Sequence, residues 1–345
     1  MVDKVLMRSK YRGTLLGALV GDCCGAPFEG QLMDSGSKLV LKKNLDTLEG
    51  PFFKAPYKKF TDDTAMTRCV ANALLDPNGF SQKLLAKNFV MEYYKDPTRG
   101  YGAAVGDVFA KLRTTKIADP VGPAQEQFDG RGSYGNGAAM RVSPIALYCA
   151  KREKDQLLQL VHDSCTVTHA NILGINGAIL QALAIKQCLL LDPNGILDKK
   201  MYLSSLKRDI NELEKANDRD LDANCNAYET QLSAIEQLLD GKVEPSDENV
   251  LNMLGHNVSA LYSVPTALFC FLKCTAGTLN IAGQSSFRNT LEYAISLGGD
   301  TDTIASMACA ISGAYFGSTV ISENLIRHCE DAEGMIELAD KLLEL

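Results

Sequence analysis

Two short stretches of this chain concentrate oxygen donors beyond what a helix end requires. Phe60-Thr61-Asp62-Asp63-Thr64 and Gly298-Gly299-Asp300-Thr301-Asp302-Thr303 each set two carboxylates and two hydroxyls before a run of small and apolar residues. These are N-cap residue types, whose side chains accept backbone N–H groups and whose charge suits the positive end of a helix. A capping box uses one acid, so each stretch carries one more carboxylate than capping needs. Side by side in the fold, the two stretches would offer four carboxylates and several hydroxyl oxygens. Like charges at that density need a counter-charge, and hard oxygen donors suit a divalent cation pair.

A third stretch, Phe128-Asp129-Gly130-Arg131-Gly132-Ser133-Tyr134-Gly135-Asn136-Gly137, is rich in glycine. Gly130, Gly132 and Gly135 satisfy the GxGxxG spacing, but no apolar strand precedes them and no Walker lysine follows, so Rossmann and P-loop contexts are excluded. What remains is a loop of backbone N–H groups ahead of a helix expected near Ala138, a cradle suited to phosphate. Phe128 and Tyr134 flank it and can stack on a base. His169, in Thr166-Val167-Thr168-His169-Ala170-Asn171, stands at another helix start, either as a phosphate donor or as a cap or satisfied core group. Glu29 lies in a Pro27-Phe28-Glu29-Gly30 turn, where a solvated loop acid is the plain reading.

The elements that must position these groups read as helices. Met66, Val70, Ala73 and Leu74 share one face after Asp63, and Asp76-Pro77-Asn78-Gly79 ends that helix. Further helices are expected over 81–94, 105–112, 140–148, 154–161 and 172–191, over 258–274 with a kink at Pro265, and over 303–317, capped by Asp300 or Thr301. Residues 31–60, with Pro51, Pro56 and several lysines, read as a long surface connection of the lid type. Residues 200–248 carry charge runs typical of solvated helix faces. Gly13, Gly17 and Gly21 form one small-residue stripe and Ser306, Ala310 and Gly313 another, each of a kind that permits close helix contact, and both are expected at the centre of the domain. No period-2 alternation and no fixed repeat is present. The expectation is one compact all-α domain over 1–345, an orthogonal multi-helix bundle whose acidic helix starts meet in a central two-metal cleft.

Composition narrows the function classes. The chain has 345 residues, 46% hydrophobic and 22% charged, ordinary for a globular protein with a large core. A net charge of −7 argues against general nucleic-acid affinity. It leaves phosphate-bearing ligands open, because bound cations and backbone amides neutralise phosphate locally. The 11 cysteines include no CxxC pair and read as reduced, buried thiols. The four histidines are scattered, which disfavours a zinc site. No run is expected to reach the length of a membrane span, and the basic start of the chain has no secretory h-region.

Taken in order, Gly17-Ala18-Leu19-Val20-Gly21-Asp22, Thr61-Asp62-Asp63-Thr64, Gly132-Ser133-Tyr134-Gly135-Asn136-Gly137, Thr168-His169-Ala170 and Gly298-Gly299-Asp300-Thr301-Asp302-Thr303 resemble the ADP-ribosylglycohydrolase family across nearly the whole chain. The Ser133–Gly137 loop and the Ala26–Gly30 segment are most similar to the vertebrate branch that removes ADP-ribose from serine and degrades poly(ADP-ribose). The resemblance implies an all-α fold and two magnesium ions. Thr61, Asp62 and Asp63 would ligate one ion, Asp300 and Thr303 the other, with Asp302 bridging and Glu29 a mobile ligand. It places Glu29, Asp62, Asp63, Asp300 and Asp302 in catalysis. Asp62, Arg131, Gly132, Ser133, Gly135, Asn136, Gly137 and His169 would hold substrate, with Phe128 and Tyr134 sandwiching adenine and Val258 at an aliphatic position. The implied substrates are serine-ADP-ribosylated proteins, poly(ADP-ribose) and O-acetyl-ADP-ribose. A monomer is expected, without membrane or sequence-specific nucleic-acid binding, in nucleus, cytoplasm and mitochondrial matrix and not secreted. The rival expectations are an arginine-linked ADP-ribose hydrolase, a two-metal phosphoesterase and a non-catalytic ADP-ribose binding module.

Overall fold

Glycines spaced four apart let the first helix, Lys4–Gly25, lie directly on the backbone of Thr301–Phe316. A Cβ at Gly13, Gly17, Gly21 or Gly25 would stand 2.5, 2.2, 2.3 or 2.5 Å from the carbonyl oxygens of Gly313, Cys309, Ala305 and Thr301. These are distances no side chain tolerates, so the stripe is a packing requirement. The two helices run antiparallel, and the contact ends at Thr301 and Asp302, beside the acidic helix start. Residues Thr301 to Tyr315 are all buried, which is why this helix shows no amphipathic period. Ile172–Leu190, Ala260–Cys274 and Ser286–Ser296 pack around it.

The computed structural model describes residues 3–51, 57–217, 226–241, 244–275 and 285–345. Among the described residues the chain is a compact all-α structure, with no strand beyond isolated bridges at Lys58–Cys329 and Gly135–Ser259. The ten described cysteines are all free, and only Cys274 is more than marginally exposed. Cys225, part of the 200–248 expectation and Lys54 of the 31–60 connection lie outside the described residues.

Several expectations need correction. Residues 31–60 are not one long connection, because Ser35–Glu49 is a helix. Asp34 caps it by accepting from the Ser37 N–H, and Leu41, Leu45 and Leu48 bury one narrow face. Arg288, itself buried, grips its far end through Asp46 and Glu49. The exposed lysine-rich face hid that stripe from a composition reading. The last site helix starts at Thr301, two residues earlier than expected, and Asp300 occupies its N-cap position without a side-chain cap bond. The loop before Ala138 leads into a 3-10 turn, Asn136–Arg141, and the α-helix follows only at Ser143–Tyr148. The helix with Pro265 begins at Ala260, leaving Val258 outside it. Finally, Ile172–Leu190 does have the length and apolarity to cross a membrane, contrary to expectation, but 78% of that window is buried inside the bundle, as a core helix requires.

Candidate active site

The acidic wall is built by three elements. Thr61 is the N-cap of Asp62–Leu74, and its Oγ1 accepts from the Asp63 N–H at 3.3 Å. Asp62 N donates to Arg99 O at 2.7 Å, and the Thr61 and Thr64 donors go to Asp22, a fully buried carboxylate on the first helix. It accepts from Thr61 N at 2.9 and 3.1 Å, from Thr64 N at 3.1 Å and from Thr64 Oγ1 at 2.6 Å. Since Asp22 satisfies those donors, Asp62 and Asp63 are released from capping and line a pocket of about 350 Å³. Asp302 and Thr303 line it from the Thr301–Phe316 helix, and Asp300 from the turn before it. That turn holds Gly298 and Gly299 at φ +75° and +72°, and a Cβ at Gly299 would lie 2.1 Å from the His256 carbonyl oxygen. The same carbonyl accepts from Asp300 N at 3.0 Å. Glu29 reaches the pocket from the turn after the first helix, where Gly30 N donates to Gly299 O at 3.0 Å.

Glu29, Asp300 and Asp302 each offer an oxygen within 4.8 Å of the others. Asp63 Oδ1 accepts from Thr303 Oγ1 at 3.2 Å, while Asp63 Oδ2 is buried with no hydrogen-bond partner. Burial first, then the neighbouring carboxylates, push Asp62 up to about 8, Asp302 up to about 9 and Asp63 well above the usual carboxylate range. Glu29 is raised by burial and by Asp300. Asp22 rises to about 6, its burial opposed by its hydrogen bonds to Thr64 and Thr61. Such a cluster either takes up protons or holds a cation. An orphaned carboxylate oxygen and an all-oxygen donor set fit a hard divalent cation.

The opposite wall is made of donors. Gly132, at φ +69°, lets the loop press on Ala170–Asn171, where a Cβ would meet Asn171 N at 2.7 Å. Asn171 ties the two together, capping Ile172–Leu190 through Leu173 N and donating from Nδ2 to Arg131 O at 3.0 Å. Asn136 N donates to Val258 O at 2.9 Å and Ala260 N to Tyr134 O at 3.1 Å, pinning the loop to the Ala260–Cys274 helix. Asn136 Nδ2 donates to Asp300 Oδ2, so one side chain joins the two walls. The His169 ring lies against Gly137, where a Cβ would stand 2.9 Å from Cε1. Burial, then the Arg141 charge, push His169 down to about 3, so it is neutral. At the rim Phe128 and Tyr134 are half exposed, with ring centroids 6.2 Å apart and planes 34° apart. Phe128 and Asp129 hold left-handed angles, φ 53° and 58°, without glycine.

Most of the sequence candidates therefore share one pocket: Glu29, Asp62, Asp63, Phe128, Ser133, Gly135, Asn136, Gly137, His169, Val258, Asp300, Asp302 and Thr303 line it. Thr61, Gly132 and Tyr134 frame it without lining it, and the Arg131 side chain points largely to solvent. Sequence reasoning missed Asp22, whose signal was a carboxylate ending a small-residue stripe. It also missed the Gly100–Val105 segment, read only as a breaker and a helix start, which forms another side of the pocket. A Cβ at Gly100 would lie 3.4 Å from Asp62 Oδ1. A separate cavity of about 730 Å³ lies beside Lys43, Tyr57, Lys58 and Lys59 and holds none of the candidates.

The ADP-ribosylglycohydrolase family model matches residues 3–345. ADP-ribosylhydrolase ARH3 of Mus musculus is 42% identical, with 97% of this chain and 91% of that protein covered. ADP-ribosylhydrolase ARH3 of Homo sapiens is 40% identical, covering 97% and 93%. Among solved structures, an ADP-ribosylglycohydrolase-related protein complex superposes with a TM-score of 0.61 over 98% of each chain at 21% identity, a likeness of fold.

Proposed function

The chain belongs to the ADP-ribosylglycohydrolase family, and on that premise we propose that it is a magnesium-dependent hydrolase of ADP-ribose glycosidic bonds. Its proposed substrates are serine-ADP-ribosylated proteins and the ribose–ribose bond of poly(ADP-ribose), with O-acetyl-ADP-ribose as a further one. The observation that carries the reading is the meeting of a carboxylate cluster and a phosphate-type cradle in one pocket, joined by Asn136 and Asp300. ADP-ribose has the matching polarity: neutral ribose hydroxyls at one end, a diphosphate in the middle and adenine at the other.

Two magnesium ions held by Glu29, Thr61, Asp62, Asp63, Asp300, Asp302 and Thr303 would supply the positive charge that orients ribose hydroxyls and acidifies water. The residues of the chain do the rest. The remaining N–H groups of the Ser133–Gly137 loop, Asn136 N being spent on Val258 O and Gly135 N on Ser133 Oγ, and the His169 ring bind the diphosphate, and Phe128 with Tyr134 receives adenine at the rim. A gap between those rings wide enough for a base needs them to part slightly from 6.2 Å. Cleavage passes through an oxocarbenium-like state at the anomeric carbon, which nearby carboxylates stabilise. Water is the nucleophile. Thr168, the hydroxyl hydrogen-bonded to a histidine, is fully buried and out of reach of substrate. Glu29 at the mouth and the aspartates within are the carboxylates available to take the water's proton. Expected compartments are nucleus, cytoplasm and mitochondrial matrix, with the protein acting as a monomer.

The test is release of free ADP-ribose from a serine-ADP-ribosylated peptide, with and without magnesium, beside an arginine-linked control. Magnesium-dependent release from the serine peptide supports the reading. Release from the arginine peptide alone moves the protein to the sister specificity, and binding without release from either makes it a binding module.

A further inference from the structure

Two residues behind His169 take no part in the scheme above. Arg141 is fully buried, forms no ion pair with a carboxylate among the described residues, and stacks 4.5 Å over the Phe89 ring. Its Nη1 donates to Gly137 O at 3.1 Å. Its Nη2 donates to Ser164 O at 2.9 Å and to Thr168 Oγ1 at 2.8 Å. A guanidinium only donates, so the Thr168 oxygen is the acceptor in that bond, and its own proton needs a destination. Thr168 is 0% exposed, which excludes bulk water. Apart from Arg141, the group hydrogen-bonded to Oγ1 among the described residues is His169 Nδ1, at 2.7 Å. A buried hydroxyl proton left unpaired costs about 1–3 kcal/mol, so Thr168 donates to Nδ1. A ring nitrogen that accepts carries no proton, and the proton of a neutral ring then sits on Nε2. Nε2 faces the cradle, 3.5 and 3.1 Å from where a Cβ would stand at Gly135 and Gly137.

We infer that Arg141 and Thr168 are positioning residues that hold His169 as its neutral Nε2–H tautomer, a fixed single donor aimed at a phosphoryl oxygen of the ligand. The identity of that oxygen rests on the phosphate-binding reading of the loop; the tautomer does not. The geometry selects for an acceptor at this point and against a ligand group that can only donate, such as an N–H. A neutral donor also keeps phosphate binding independent of pH across the range where an ordinary histidine titrates. The buried Arg141 charge adds positive potential under the cradle without touching the ligand.

The experiment is ¹⁵N-histidine NMR of the full chain, together with ADP-ribose titration of the wild type, Thr168→Val and Thr168→Ser. The expected His169 signature is an acceptor-type Nδ1 and a protonated Nε2, constant from about pH 5 to 8 although a free imidazole titrates near 6.5. Thr168→Val should lose that signature and weaken ADP-ribose binding by about tenfold or more, the worth of a hydrogen bond to a charged group. Thr168→Ser should restore both, and an unchanged magnesium-dependent melting shift in Thr168→Val shows that the fold and the acidic wall persist. An Nδ1–H tautomer, a titrating ring, or a Thr168→Val variant identical to wild type in spectrum and affinity overturns the inference. An Nε2–H signature in a protein that binds no ADP-ribose would leave the tautomer standing and remove the phosphate reading.

Discussion

The two walls of the pocket solve opposite electrostatic problems. The acidic wall crowds Asp62, Asp63, Asp300 and Asp302 together with Asp22 behind them, and Glu29 joins from the mouth. It is under-compensated, and the raised carboxylates show it. The loop wall contains no acid of its own facing the pocket; its groups are backbone amides, a neutral imidazole and, beneath them, a buried guanidinium. One wall lacks cations and the other lacks anions. In the proposed function each deficit is what a ligand fills: metal on one side, phosphate on the other. The proposed ligand, ADP-ribose, carries ribose hydroxyls for one wall and a diphosphate for the other.

This contrast breaks most visibly at the acidic wall. Asp62→Asn or Asp302→Asn should each cut turnover by about a thousandfold at saturating magnesium, since groups aimed at developing charge carry effects of that size. Single-turnover release of ADP-ribose measures it, and full activity in both variants contradicts the two-metal assignment.

Metal removal should separate the walls through stability. Asp62 and Asp302 have folded values of about 8 and 9 against an ordinary 3.8. A carboxyl raised by folding favours the folded state when protonated, so its contribution is present below its unfolded value and lost as pH rises through its folded value. In chelator the melting temperature should therefore fall as pH climbs from about 6 to 9, and added magnesium should stabilise more at the upper end. A melting temperature that rises over that window without metal would refute the crowding argument.

The loop wall is probed by Gly137→Ala. The new Cβ would sit 2.9 Å from the His169 ring, which Thr168 holds in place. ADP-ribose affinity should fall by about tenfold, the scale of one displaced charge-assisted hydrogen bond, while magnesium binding by calorimetry stays at the wild-type value. Loss of both would mean that the walls are one unit. The smallest effect belongs to Arg131→Ala. That side chain is 76% exposed, so an affinity change within about threefold is expected, as for other solvent-screened charges.

The contrast also explains which parts were legible in the sequence. Asp-Asp beside threonine, glycine pairs at a turn and a loop of Gly, Ser and Asn are local signals, because capping and positive φ are decided within a few residues. The glycine stripe was legible for a similar reason: only a backbone-to-backbone contact makes such spacing useful. The Ser35–Glu49 helix was not, since three leucines among lysines carry a weak period and its anchor, Arg288, comes from far along the chain.

By itself the sequence determined that this protein is helical, that it carries acid-rich helix starts and a phosphate-type loop, and to which family it is similar. Only the tertiary structure decided how those pieces are used. Asp22 reaches Thr61 across 39 positions and Asn136 reaches Asp300 across 164. The same Asp in a sequence is a cap, a metal ligand or a clamp depending on which donors surround it. Those donors come from elements that meet only when the core closes, because burial and hydrogen-bond satisfaction are properties of the packed whole.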